Sequence, residues 1–144
     1  MMTAASARLD SNDASPPPFD RESALALPPG LALRAFFRIA EAWALNREQT
    51  MALLGVEGVS MYSSWKRAPD EARLRLHVIE RLSYVLGIYD ALQTLLPGEA
   101  ADGWVHRPNG APPFGGRAAI ELMTSGLTGD LAAVRHYLDG ERYR

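Results

Sequence analysis

The chain has 144 residues, 47% of them hydrophobic and 22% charged, with 15 Lys and Arg against 17 Asp and Glu for a formal charge of -2. Those proportions describe one or two ordinary globular domains with a core to bury, and they exclude a disordered or fibrous chain. The lack of Cys excludes disulfides, a thiolate nucleophile and a Cys-type zinc site; no apolar run approaches the roughly 20 residues of a membrane span, and His77, His106 and His136 stand too far apart for a local metal motif.

Residues 1–29 are rich in Ala, Ser, Asp and Pro, including Pro16-Pro17-Pro18 and Pro28-Pro29. Proline removes a backbone donor and disfavours helix in the residue before it, so this stretch predicts a flexible tail. It carries no continuous apolar segment of the secretory kind, which makes the cytoplasm the expected compartment. Residues 31–45 are predicted helical: Leu33, Phe36, Phe37, Ala40 and Ala44 mark an apolar face, with Arg34, Arg38 and Glu41 opposite. Asn46 is placed to cap a second helix over 47–54, with Glu48 and Gln49 in its first turn, and Gly55 ends it in a left-handed cap. A third helix is predicted over 60–67, stopped by Ala68-Pro69. Two short helices across a Gly-containing turn, with another packed behind, make the geometry of a helix-turn-helix.

Residues 70–96 form the longest regular stretch. Val78, Leu82, Val85, Tyr89, Leu92 and Leu96 recur at alternating steps of four and three, a seam read as a core helix in a chain this short. Gly87 lies in its middle and predicts a close helix crossing there, since Gly in a helix interior costs about 1 kcal/mol relative to Ala. Residues 97–116 read as a long loop that is functional or ordered by specific packing. A short helix over 117–125 is closed by Gly126. Thr128 or Asp130 then caps a last helix with Leu131, Val134 and Leu138 on one face, ended by Asp139-Gly140, which leaves residues 141–144 as an exposed tail. No strand-type alternation occurs, and the predicted class is all-α.

Charge by segment is -2 over 1–29, +2 over 30–81 and -2 over 82–144. Any nucleic-acid role must therefore rest on a local cluster, because phosphate neutralisation needs grouped cations. Lys66, Arg67, Arg73 and Arg75 are the densest group, and a solvated helix flank explains them equally well.

The stretches Trp104-Val105-His106-Arg107-Pro108-Asn109, Phe114-Gly115-Gly116-Arg117-Ala118-Ala119-Ile120-Glu121-Leu122-Met123 and Val134-Arg135-His136-Tyr137-Leu138-Asp139 resemble the toxin-binding domain of the Xre/MbcA/ParS antitoxins. The resemblance runs from about residue 31 to 139. It implies a type II toxin-antitoxin antitoxin, encoded beside a RES-domain toxin that consumes NAD or transfers ADP-ribose from it. The organisation it implies is a tail (1–29), an Xre-like helix-turn-helix unit with a long connecting helix (30–96) and a toxin-binding domain (97–144). Homodimerisation through the helix-turn-helix half, giving a two-toxin, two-antitoxin assembly, is likewise implied by resemblance only. Leu53-Leu54-Gly55-Val56 look like that family's turn, and Trp65 closes the recognition helix. The chain departs from the pattern by one extra residue between Gly55 and Trp65, and Gly58, Ser60 or Ser64 stand where relatives often place Arg. Bidentate Arg reading of base edges is therefore not evident. Ser60, Ser63, Ser64, Lys66 and Arg67 remain the candidates for operator DNA, as phosphate contacts that position without specifying sequence.

The candidates for toxin contact are Arg117, Arg135, Tyr137, Arg142, Tyr143 and Arg144, because Arg forks and aromatic rings dominate interface centres. The terminal pair Tyr143-Arg144 is read as an anchor able to enter a neighbour's pocket. Against these stand plainer readings: Tyr62 and Trp65 as core, Trp104 as an anchor of the long loop on the seam helix, Asn109-Gly110 as a turn with positive φ, and Gly115-Gly116 as a tight packing turn and not a phosphate cradle. Ser125, Asp130 and His136 make a triad on paper but lack the elbow that presents a nucleophilic Ser. No enzyme, metal or cofactor is expected. The alternative function is a stand-alone helix-turn-helix transcriptional regulator.

Overall fold

The computed structural model describes residues 28–143, and the predicted tail over 1–27 lies outside them, as does Arg144. The first helix, α1 (Pro29–Ala42), starts two residues earlier than the periodicity predicts because Pro28 takes the extended N-cap position and Pro29 the first helical one, where the missing N–H is no loss. It also ends three residues earlier. Trp43 leaves the helix, and Ala44 adopts a left-handed φ of 54°. Ala44 is exposed there and not part of the apolar face. Trp43 is 1% exposed and packs on Tyr89 at 6.3 Å between ring centroids.

The second helix, α2 (Arg47–Leu54), has the predicted bounds. Asn46 Oδ1 accepts from the Gln49 N–H at 2.8 Å while Gln49 Oε1 accepts from the Asn46 N–H at 3.0 Å, a reciprocal cap that satisfies two otherwise orphaned donors. Gly55 closes it at φ 75°. Its neighbour α3 (Val59–Arg67) buries Tyr62 and Trp65 as predicted. A 3-10 turn over Pro69–Glu71 follows, and its Asp70 bonds Arg34 of α1 at 2.8 Å.

The predicted long helix is shorter than its seam. Residues 72–75 are outside any helix, and α4 runs Leu76–Leu95. It is the central element, packed on α1, α2 and the last helix. Val78, Leu82, Val85, Ile88, Ala91 and Leu92 are all buried along it. Burial on several sides makes α4 a core helix, while Tyr89 on it and Leu96 just past its end are part-buried.

Half of the predicted long loop is helical: α5 (Gly98–Gly103) and a 3-10 turn (Trp104–His106) precede the irregular part. Next come α6 (Ala119–Met123), shorter at both ends than predicted, and α7 (Thr128–Arg142). The cap of α7 is Leu127, with neither Thr128 nor Asp130 in that role. Gly140 does not end α7. The helix continues to Arg142 because Asp139 is buried and bonds Arg135 at 3.3 Å, while Arg142 reaches Asp90 of α4 at 3.0 Å. These contacts outweigh the propensity cost of one helical Gly. The expected four-residue tail is thus reduced to its end, where Tyr143 is 57% exposed.

Among the described residues there is no strand, only one isolated bridge between Pro108 and Ala118, and the fold is all-α. One continuous core joins Leu33 and Phe36 at one end to Phe114, Leu131 and Val134 at the other. Arg81 crosses it. Its side chain is buried, donating to Gly126 O at 2.7 Å and to Ala52 O at 3.4 Å, so it ties the last turn of α2 to the turn between α6 and α7. A Cβ on Gly55 would lie 2.7 Å from Arg81 Nε, so that turn needs Gly for space as well as for its φ.

Candidate functional site

Two separate surfaces carry the predicted site residues. The first is the outer face of α3. Tyr62 and Trp65 turn inward, and at 3.6 residues per turn Ser60, Ser63, Ser64 and Arg67 fall within an arc of about 100° on the opposite side. All four are exposed, flanked by Met61 at 54% and Val59 at 46%. Three hydroxyls and a guanidinium at one helix face can bond phosphate oxygens. Lys66 is separate from that arc. Its Nζ lies 5.9 Å from the Tyr62 ring centroid and 6.0 Å from that of Phe37, over a shallow cleft of about 270 Å³ shared with Arg38, Arg47 and Glu41. No ion pair is formed by Arg38, Arg47 or Lys66 among the described residues. Arg38 and Arg47 extend the cationic surface beyond the cluster visible in sequence, because the fold brings together bases nine and more residues apart.

The second surface is the C-terminal end of the molecule, and there the predicted residues separate by role. Leu131, Val134 and Leu138 face the core along α7. On one flank Arg135, Asp139 and Arg142 turn to α4. The Arg135 guanidinium lies against Gly87, where an added Cβ would come within 2.6 Å of its Cζ. This is the close crossing that Gly87 predicts. Tyr84, one turn away on α4, has its hydroxyl pKa raised by burial first and by the Glu80 carboxylate second, against the lowering pull of Arg135. Arg135 and Arg142 are therefore engaged within the chain, with side chains 28% and 26% exposed.

The opposite flank of α7 presents Tyr137 and Glu141. Tyr137 stacks on Trp104 with centroids 6.3 Å apart and 17° between planes, and Phe114 meets both rings edge-on at 5.1 and 5.7 Å. Trp104 thus anchors its segment mainly through α7, with the end of α4 alongside. Trp104 and Tyr137, but not Phe114, line an open pocket of about 240 Å³ together with Leu92, Leu95, Leu96 and the charged Arg107 and Glu141. Sequence reasoning missed it, because its walls come from three segments. The signal was the leucine pair Leu95-Leu96 placed against the stop at Pro97.

Arg117 is exposed, with Nε donating to Phe114 O at 3.3 Å. The neighbouring glycines are turn-makers: Gly115 and Gly116 take φ of 59° and 92°, and their N–H groups donate to Ala111 O and Asn109 O. With both amides used, no phosphate cradle is left. Positive φ belongs to this pair and not to Asn109-Gly110, where Asn109 works through its side chain, Oδ1 accepting from the Ala111 N–H at 2.8 Å. The paper triad is not assembled, since Ser125 Oγ donates directly to Asp130 at 2.7 Å and accepts from the Leu127 N–H. No group of three His, Asp or Glu that could hold a metal exists among the described residues, and no helix among them is long and apolar enough to cross a membrane.

Comparison with known proteins agrees with this geometry. Residues 23–87 match the antitoxin Xre-like helix-turn-helix domain, and residues 91–144 match the antitoxin Xre/MbcA/ParS C-terminal toxin-binding domain. The two stretches meet inside α4, so the helix that Arg81 and Gly87 occupy serves both. A curated relative, the uncharacterized protein y4oB of Sinorhizobium fredii (strain NBRC 101917 / NGR234), is 41% identical over 111 residues, which is 76% of this chain and 83% of that protein. No solved structure matches the chain. With both domains matched in order, and with the helices placed as that order requires, the chain belongs to the Xre/MbcA/ParS antitoxin family, its helix-turn-helix followed by a domain whose partner is a toxin.

Proposed function

We propose that the chain neutralises a RES-domain toxin, one that consumes NAD or transfers ADP-ribose from it, by stoichiometric binding that covers the toxin's active site. It does this in the cytoplasm, as a type II antitoxin, with no catalysis and no cofactor of its own. The observation that carries the reading is the toxin-binding domain over 91–144, at whose end Tyr143 stands exposed beyond the last packed turn of α7. Such an aromatic, followed in sequence by the guanidinium of Arg144, is chemically suited to enter a pocket built for a charged aromatic substrate. Blocking of this kind needs an interface of about 1,200–2,000 Å².

Co-expression tests the reading. Cells producing the RES-domain protein encoded beside this gene should regain growth when the chain is supplied, and the two proteins should co-purify. Growth arrest that is indifferent to the chain would reject it.

The outer face of α3 supports a second role in the same protein, binding of its own operator as a homodimer joined through the helix-turn-helix half. Ser60, Ser63, Ser64 and Arg67 would contact phosphates there, with Lys66 adding charge from the flank. Each phosphate contact contributes about one unit to the slope of log affinity against log salt. Arg67→Ala should therefore weaken binding to the upstream promoter and flatten that slope by about one unit, measured by fluorescence anisotropy across a salt series. An unchanged slope would remove Arg67 from the interface. If the chain acts on DNA alone as a regulator, promoter binding will be intact and growth rescue absent.

A further inference from the structure

We infer that the pocket beside Tyr137 is the receptor for one large apolar side chain of the toxin, the anchor around which the two proteins join. The inference rests on the toxin-binding reading and adds to it the place and chemistry of the central contact. Every residue lining the pocket lies between 91 and 144, within the stretch matched by the toxin-binding domain. The walls include the stacked Trp104 and Tyr137 rings and the leucines Leu92, Leu95 and Leu96. Apolar surface of this kind favours an apolar occupant, since its burial removes both partners' hydrocarbon from water.

Size and charge narrow the occupant. At about 240 Å³ the pocket is smaller than the roughly 300–1,000 Å³ of small-molecule sites, which suits a side chain better than a nucleotide or cofactor. The rim carries one cation, Arg107, which spends one N–H on Ala100 O at 3.0 Å, and one anion, Glu141. An apolar centre with a mixed-charge rim is the anatomy of a protein interface, where a buried anchor is surrounded by polar contacts that exclude water. The toxin segment that docks here therefore presents an aromatic or branched aliphatic residue flanked by polar ones.

Position separates this contact from the end of α7. Glu141 lies at the pocket rim and Tyr143 two residues further on, so one toxin surface spans both. The pocket holds the complex together, while Tyr143 performs the blocking.

The test is Leu96→Asp in the full chain, titrated by calorimetry against the purified RES-domain protein encoded beside the gene. Leu96 is part-exposed and follows α4, so the substitution puts a carboxylate at the pocket wall with little disturbance of the core. The expected result is affinity lower by at least about 30-fold, the loss that one hot-spot contact produces, with a thermal midpoint near that of the parent chain. Leu96→Met should bind as the parent does. If Leu96→Asp proves unfolded, Leu95→Gln replaces it under the same criterion. Parent-like affinity in a folded pocket variant would overturn the inference while leaving the toxin-binding reading intact. Failure of the parent chain itself to bind would overturn both.

Discussion

Replacing Arg81 with Ala is expected to destabilise the protein by about 3 kcal/mol, seen as a calorimetric midpoint lower by about 10 °C. The substitution removes the donor to Gly126 O and the longer of two donors to Ala52 O, which also accepts from the Gly55 N–H at 3.2 Å, and leaves a void between the helix-turn-helix and the last two helices. Gly126 is exposed, so water can replace its lost donor and that loss costs about 1 kcal/mol, while the lost packing of the buried aliphatic stem adds about 2–3 kcal/mol. Two effects hold the total down. Arg81 Nε is buried without a partner, so the parent already bears a desolvation cost that Ala relieves. The helix-end carbonyls near the guanidinium also offset its charge only in part. Arg34→Ala is the internal contrast: its pair with Asp70 is 46% and 73% exposed, and such pairs are worth less than about 1 kcal/mol. Equal midpoints for Arg81→Ala and the parent would show that this buried arginine does not join the two units.

Removal of Tyr143 and Arg144 is expected to leave the fold intact and abolish most of the inhibition. The end of α7 is secured by Arg142 on Asp90 and Thr94, so a cut after Arg142 spares these ties between α7 and α4. The midpoint should shift by less than about 2 °C, because exposed terminal residues contribute little to stability. In a mixture with the toxin, the truncated chain should require at least about 30-fold more protein to suppress NAD consumption, as expected when an aromatic hot spot is lost. A cut after Gly140 is a different experiment, since it also breaks the Arg142–Asp90 pair and mixes folding with function. Full inhibition by the chain ending at Arg142 would show that Tyr143 and Arg144 do not reach the toxin's active site.

What could be read from sequence follows from how local each signal is. Asn46, Gln49 and Gly55 fix both ends of α2 within nine residues, and that helix has the predicted bounds. The outer face of α3 was equally legible, because Tyr62 and Trp65 set its inward side by period alone. The end of α1 was not, since it depends on a left-handed Ala44 that no local preference favours. Trp43 did carry a signal, seven residues after Phe36 and on the same face. The end of α7 was misjudged for the opposite reason: Gly140 is a local stop signal overruled by the distant partners Asp90 and Gly87. Tertiary contact likewise divides the predicted toxin-contact residues, which look alike in sequence. Arg135 and Arg142 spend their guanidiniums on this chain, while Tyr137 lines a pocket and Tyr143 faces outward. The pocket itself had only the Leu95-Leu96 pair before Pro97 as a sequence trace, as Leu92 and Tyr137 are brought together only by the packing of α7 on α4.

The account as a whole is tested most directly by titrating the chain into a fixed amount of the RES-domain protein encoded beside its gene and following the disappearance of NAD. Suppression should grow linearly with added chain and become complete at one antitoxin per toxin, as a tight plug requires. NAD loss that proceeds undiminished at a tenfold excess of folded chain would contradict it.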